Sequence, residues 1–205
     1  MILTGQLDSP FVRRVAIALH IYGFQFEHNV ISAYGDFSEL LALNPLGKVP
    51  ALQLDDGTTL ADSTLILDYL DRLAGPDQTL LPASLKARAG LLAHVGIAAG
   101  LAEKAVEYRT ETVRRPSDKI DQHRVERIRA QISAALDWLE KHTPNEGFIS
   151  GAEITHADIA STVAMTFISR KNPEHLEGRD RASLARHAVR CEALASFRAA
   201  PFMDG

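Results

Sequence analysis

A chain of 205 residues can hold one domain or two small ones with a true core, and 46% apolar with 23% charged residues is an ordinary globular balance. The net charge of −4 argues against nucleic acid or an anionic membrane as the main partner. The single cysteine, Cys191, excludes an internal disulfide, and the start M-I-L-T-G-Q-L-D-S-P lacks the basic end and apolar core of a secretory signal. No run reads as long enough to span a bilayer, so a cytoplasmic protein is the expectation.

Met1 to Thr4 reads as a first strand. Ser9 then suits an N-cap and Pro10 the first helical position. Val12, Val15, Ala16 and Leu19 follow at i, i+3, i+4 and i+7 as one apolar face, and Gly23 ends the helix. Phe26, His28 and Val30 alternate with polar residues, which predicts a half-buried strand. Asp36 with Glu39 predicts a boxed start to a short helix through Leu43. Pro45 and Gly47 break that helix, Ala51 to Leu54 is a short strand, Asp56-Gly57 a hairpin turn and Thr58 to Ala61 the return strand. Asp62 and Ser63 open a helix carrying Ile66, Leu70 and Leu73. The order is β-α-β-α-β-β-α.

Gly75-Pro76 and Pro82 bracket the expected domain boundary, giving residues 1–76 and 84–205. Beyond Ser84 the periodicity is helical throughout. Helices are predicted over Leu85–Val113, over Asp118–His142 with Val125, Ile128, Ile132, Leu136 and Leu139 on one face, and from Thr155 to just before Pro173. Thr155-His156-Ala157-Asp158 has the form of a capping box. A last helix is predicted over Arg181–Ala199.

The stretch N-P-L-G-K-V-P-A-L, then the hairpin, then L-A-D-S, has further content. A proline opening a strand cannot donate to a sheet. A cis Val49–Pro50 bond would turn the backbone groups of Val49 outward, where an extended peptide could pair with them. The helix after Asp62 would offer free N–H groups to a carboxylate. These parts suit a small, peptide-like anion.

The stretch resembles the glutathione-binding half of a glutathione S-transferase, whose pattern is N-P-x-G-K-V-P-x-L, a hairpin, and an acidic residue with Ser opening a helix. S-P-F at Ser9–Phe11 is similar to the Ser-type branch, of the bacterial, tau and omega kind, and G-x-x-x-T-x-A-D-I resembles the buried capping motif of the family's helical domain. The resemblance implies a thioredoxin-like α/β domain followed by an all-helical domain. It implies glutathione as co-substrate, a small hydrophobic electrophile as second substrate, detoxification as the role, and a homodimer formed by the helix after the hairpin and the first long helix. Leu65, Tyr69, Leu92 and Val95 are the candidates for that surface. Lys48 would lie near the glycine carboxylate of glutathione, and Val49 would supply backbone groups with the geometry set by Pro50. Asp62 and Ser63 would hold the γ-glutamyl amino and carboxylate groups.

Ser9 is the candidate catalytic residue. A thiol near pKa 8.5 attacks only as the thiolate, and a hydroxyl donor at the positive end of a helix favours that anion. Capping alone also explains a Ser before Pro at a helix start. Phe11 and Tyr108 are candidates for the electrophile pocket, expected between the two halves. His187 and Cys191 are four apart on a helix, too few for a structural zinc site, so no metal is expected. Glutathione-dependent peroxide reduction, disulfide exchange and a non-catalytic glutathione-binding or interaction module remain as alternatives. A cysteine at or beside Ser9 would be needed for exchange.

Overall fold

The computed structural model describes residues 1–203. The chain divides into two compact units, Met1–Ala83 with the segment from Ala193 onward, and Ser84–Glu192.

The first unit runs β1 (Ile2–Thr4), α1 (Pro10–Tyr22), β2 (Glu27–Asn29), α2 (Phe37–Leu43), β3 (Ala51–Gln53), β4 (Thr59–Ala61) and α3 (Ser63–Ala74). The sheet order is β2-β1-β3-β4, with β1 and β2 parallel and the other pairs antiparallel. Leu3 and Leu52 from the sheet, Val12, Val15 and Leu19 from α1, and Ile66 and Leu70 from α3 are fully buried. This is the expected thioredoxin-like order. Gly23 ends α1 in the left-handed conformation, at φ 71. The Tyr22 hydroxyl donates to Asp71, whose Oδ1 also accepts from the Leu80 amide at 3.0 Å, so α1, α3 and the segment after α3 share one buried acceptor.

Three local expectations fail here. β2 lies at the sheet edge, where His28 is exposed and Val30 is 63% exposed, so its alternation buries no apolar face. The Asp36 carboxylate turns back to the Ser32 amide at 3.0 Å and does not cap α2, so the boxed start is absent. The last helix divides into α7 (Ala182–Glu192) and α8 (Ala195–Ala199). The break falls where the chain changes unit, so the expected second domain over 84–205 loses its end to the first unit. Buried Arg13, 1% exposed, accounts for that: its Nε donates to the Ala200 carbonyl at 2.9 Å, and α8 packs on α1.

The second unit is all helical. It holds α4 (Leu85–Arg109), a π turn over Thr110–Arg114, α5 (Gln122–His142), α6 (His156–Lys171) and α7. α5 starts later than expected because Ser117–Lys119 is a separate 3₁₀ turn and Asp121, not Asp118, caps the helix through the Arg124 amide. All five apolar residues predicted for the inner face of α5 are buried. α6 is the central helix, buried on nearly all sides. Its capping box is present: Asp158 Oδ2 accepts from the Thr155 amide and hydroxyl, both at 2.7 Å, and Oδ1 from the Ile149 amide at 2.7 Å. Against the expectation that no run is long enough to span a bilayer, Leu85–Arg114 is long and apolar enough by length and composition to cross one. Here it packs against α5 and α6, with Leu101, Ala102 and Ala105 buried.

Candidate active site

The sheet register decides which loops meet. Thr4 pairs with Ala51, and Ala51 pairs with Ala61. Gly5, leaving β1, Pro50, entering β3, and Asp62, leaving β4, therefore lie at one end of the sheet. Gly5 adopts φ 132, and a Cβ there would sit 2.5 Å from the Val12 side chain and 2.8 Å from that of Val49. Only glycine lets the first turn of α1 and the Val49 loop approach so closely.

Ser9 is half-buried and caps α1, accepting from the Val12 amide at 3.4 Å, a long bond. Among the described residues its hydroxyl donates to no protein acceptor. Phe11 is half-buried in the first turn.

The loop before β3 is shaped by Asn44, whose role the sequence reading missed. Asn44 is 2% exposed; its Nδ2 donates to the Lys48 carbonyl at 2.7 Å and its Oδ1 accepts from the Leu46 amide at 3.1 Å. An Asn opening a Pro-Gly loop was the available signal, since its side chain can bond the nearby backbone. The loop leaves the Lys48 side chain exposed and without a partner among the described residues. The Val49–Pro50 bond is cis, as the motif predicts. The Val49 amide and carbonyl have no hydrogen-bond partner among the described residues.

Asp62 caps α3 with one oxygen, Oδ1 accepting from the Thr64 amide at 2.7 Å and the Leu65 amide at 3.4 Å. It does so at φ 67, a positive value for a non-glycine residue. Such a conformation costs on the order of 1–3 kcal/mol and recurs where geometry at a site matters. No protein group among those described takes its second oxygen. Ser63 is 4% exposed and its hydroxyl makes no protein hydrogen bond among the described residues. One end of the sheet thus gathers a hydroxyl donor, a lysine, an unpaired extended backbone, a carboxylate and a helix N-terminus.

Tyr108 lies elsewhere, inside the second unit. It is 5% exposed, its hydroxyl accepts from Arg129 Nη2 at 2.9 Å, and its ring meets His175 edge-on at 4.5 Å. That packing leaves it little surface for a substrate. In the same unit His187 Nε2 lies 3.5 Å from Cys191 Sγ and 3.3 Å from Asp158 Oδ1. All three are fully buried, and burial pushes the Cys191 thiol up to about 11. Two cavities in the first unit, about 630 and 370 Å³, are lined by other residues, Met1, Phe26 and Asp55 at one and His20, His28 and Ala200 at the other.

Comparison with known proteins bears on this arrangement. The profile described as glutathione S-transferase, N-terminal domain, matches residues 3–78, and that for the C-terminal domain matches residues 122–164. The GST-like protein YibF of Escherichia coli K12 is 28% identical over 169 residues, covering 82% of each chain. A glutathione S-transferase from Methylobacterium radiotolerans, solved with glutathione sulfonate, superposes with a TM-score of 0.89 at 26% identity, covering 100% of this chain and 96% of that one. A transferase family member from Pseudomonas fluorescens with bound glutathione gives 0.84 at 28% identity, with 97% of each chain covered. With both domain profiles matched in order, along more than half the chain, and whole-chain structural likeness to transferases, the chain belongs to the glutathione S-transferase family.

Proposed function

We propose that the protein joins the thiolate of glutathione to a small hydrophobic electrophile, with Ser9 donating a hydrogen bond to the sulfur. The observation that carries this reading is the Ser9 hydroxyl, which accepts from Val12 but donates to no described residue, at the sheet end that also holds Val49 and Asp62. Val49 pairs with the cysteinyl backbone of the tripeptide, Lys48 faces the glycine carboxylate, and Asp62 and Ser63 take the γ-glutamyl ammonium and carboxylate. The glutathione-bound relatives support the ligand. The donor and the positive end of α1 hold the sulfur as its anion near neutral pH. The transferred bond forms between that sulfur and the electrophilic carbon, and the leaving group departs with the displaced electron pair. Disulfide exchange is disfavoured because Cys191 is buried with its thiol pushed up.

The test is the pH–rate profile with a chloronitroaromatic for wild type and Ser9→Ala. Loss of one preorganised donor should slow transfer near neutral pH by roughly ten- to a thousand-fold and move the profile to higher pH. Glutathione affinity should change far less. A profile that stays in place while the melting point falls makes Ser9 a cap only.

We infer also that the protein pairs with a second copy through α3. Leu65, Tyr69 and Leu73 stand at i, i+4 and i+8 on that helix, 66%, 36% and 50% exposed. On α4, Leu92 is 45% exposed, whereas Val95, expected on the same surface, is buried at 9% and belongs to the core. Sedimentation at micromolar concentration should give a dimer of the 22.4 kDa chain, and a monomer there would end the idea.

A further inference from the structure

The edge strand β2 buries no apolar face, yet one of its side chains reaches the loop that leads to Ser9. His28 stands opposite Leu3 in the parallel register of β1 and β2, and its Nε2 lies 2.7 Å from the Gly5 carbonyl. A carbonyl only accepts, so Nε2 carries the hydrogen and His28 is the donor. The neutral ring in that tautomer and the imidazolium both donate, so the bond does not depend on the charge of His28. The Gly5 amide donates in turn to the Asn29 carbonyl at 3.0 Å. Two consecutive residues of β2 therefore hold the two polar groups of Gly5. An exposed histidine on an edge strand can be satisfied by water, so a short bond to a distant backbone group is the informative observation.

Gly5 is where the chain leaves β1. It takes φ 132 and has no side chain to resist rotation of the peptide group that follows it. That peptide group begins the connection Gln6-Leu7-Asp8 to Ser9. The connection turns where the Ser9 amide donates to the Gln6 carbonyl at 3.1 Å, and it is packed down at Leu7, 7% exposed. The helix holds the Ser9 side chain weakly, through the long bond from the Val12 amide at 3.4 Å. The place of the Ser9 hydroxyl is thus set from the loop side, and the loop is anchored at the Gly5 carbonyl.

We propose that His28 is a positioning residue for the transfer step: its bond to the Gly5 carbonyl fixes the Gly5–Ser9 loop and so aims the Ser9 hydroxyl at the sulfur of glutathione. It touches neither substrate. This rests on the reading of Ser9 given above. Loss of the bond frees the carbonyl side of Gly5, while the amide bond to Asn29 keeps Gly5 itself in place against Val49. The consequence therefore falls on the thiolate more than on binding of the tripeptide.

The test is a double-mutant cycle in steady-state kinetics with glutathione and a chloronitroaromatic, comparing wild type, His28→Ala, Ser9→Ala and the double variant across pH. Rates are taken below the melting range of all four proteins. His28→Ala should lower kcat near neutral pH by about three- to tenfold, the scale of one lost hydrogen bond. The profile should move to higher pH, by less than Ser9→Ala moves it, and KM for glutathione should stay within about twofold of wild type. In the Ser9→Ala background the same change should alter kcat by less than about twofold, because the two residues act through one bond to sulfur. His28→Gln, whose amide nitrogen can take the place of Nε2, should recover most of the rate. A rate and profile unmoved in His28→Ala overturn the proposal, as does an equal loss with and without Ser9, or His28→Gln no better than His28→Ala. An unmoved profile in Ser9→Ala sinks the reading of Ser9 and this role with it; a moved profile there with His28→Ala unchanged sinks only the role of His28.

Discussion

Lys48 and Asp62, the two charges of the proposed glutathione site, are both exposed and differ in how firmly they are held. Lys48 is exposed and unpartnered, so its attraction for a carboxylate is screened by salt. Asp62 is held by its cap bonds at a costly backbone angle. Two outcomes follow for Lys48→Ala. KM for glutathione should rise about two- to fivefold at low salt, the scale of one exposed charge–charge contact. The salt dependence of KM seen in wild type should flatten in the variant; steady-state kinetics from 20 mM to about 500 mM salt read both. Equal salt slopes would remove Lys48 from the site. The Ser9 cap is a long bond at 3.4 Å, so Ser9→Ala should cost at most about 1 kcal/mol in stability even where transfer collapses.

At the level of elements, one glycine and one carboxylate hold the parts in place. Gly5 lets α1 meet the Val49 loop, and a methyl group there would overlap two valine side chains. Gly5→Ala should destabilise by about 2 kcal/mol or more, the scale of overpacking at an unfavourable φ, and should raise KM for glutathione by shifting Val49. Urea denaturation with parallel kinetics checks both, and an unchanged midpoint would contradict the crowding. Asp158 is fully buried and serves three donors around the start of α6. Asp158→Ala leaves those donors without an acceptor, and a loss of about 3–5 kcal/mol is expected from denaturation followed by circular dichroism. A loss under about 1 kcal/mol would mean that the loop re-forms its bonds elsewhere.

For the whole molecule, acid is the expected weakness. His94 is 3% exposed, its Nε2 lies 2.9 Å from Ser161 Oγ, and burial, then the nearby His142 and His187, push its pKa down to about 4. His187 is lowered as well, by burial, with Asp158 opposing. A histidine depressed in the fold is neutral there, while the unfolded chain takes up its proton near pH 6.5. The stability it contributes is therefore complete above about pH 6.5 and lost as pH falls toward 4, by up to about 3 kcal/mol for His94. Thermal melts from pH 7.5 to 4.5 should show a steep fall below pH 6.5. In His94→Gln, which keeps a hydrogen-bonding group toward Ser161, the fall should be shallower; an identical slope would assign the acid sensitivity elsewhere.

Local chemistry alone determined much of this protein. Ser9-Pro10 and Gly23 delimit α1, Asp56-Gly57 turns the hairpin, Thr155 with Asp158 opens α6, and Asn44 to Ser63 carries the binding pattern, because caps, turns and short motifs act over a few residues. Where a residue's fate depends on what lies across from it, only the tertiary structure decided. The alternation of Phe26, His28 and Val30 promised a buried face, but an edge strand has nothing to bury it against. The Asp36 carboxylate found the Ser32 amide before its own helix. Tyr108 read as a candidate for the electrophile pocket, but Arg129 and His175 enclose it. Arg14 and Arg13 are adjacent and alike in sequence, yet one holds α3 and the other holds the C-terminal segment. Neighbouring residues on a helix point about 100° apart, and what each meets belongs to distant parts of the chain.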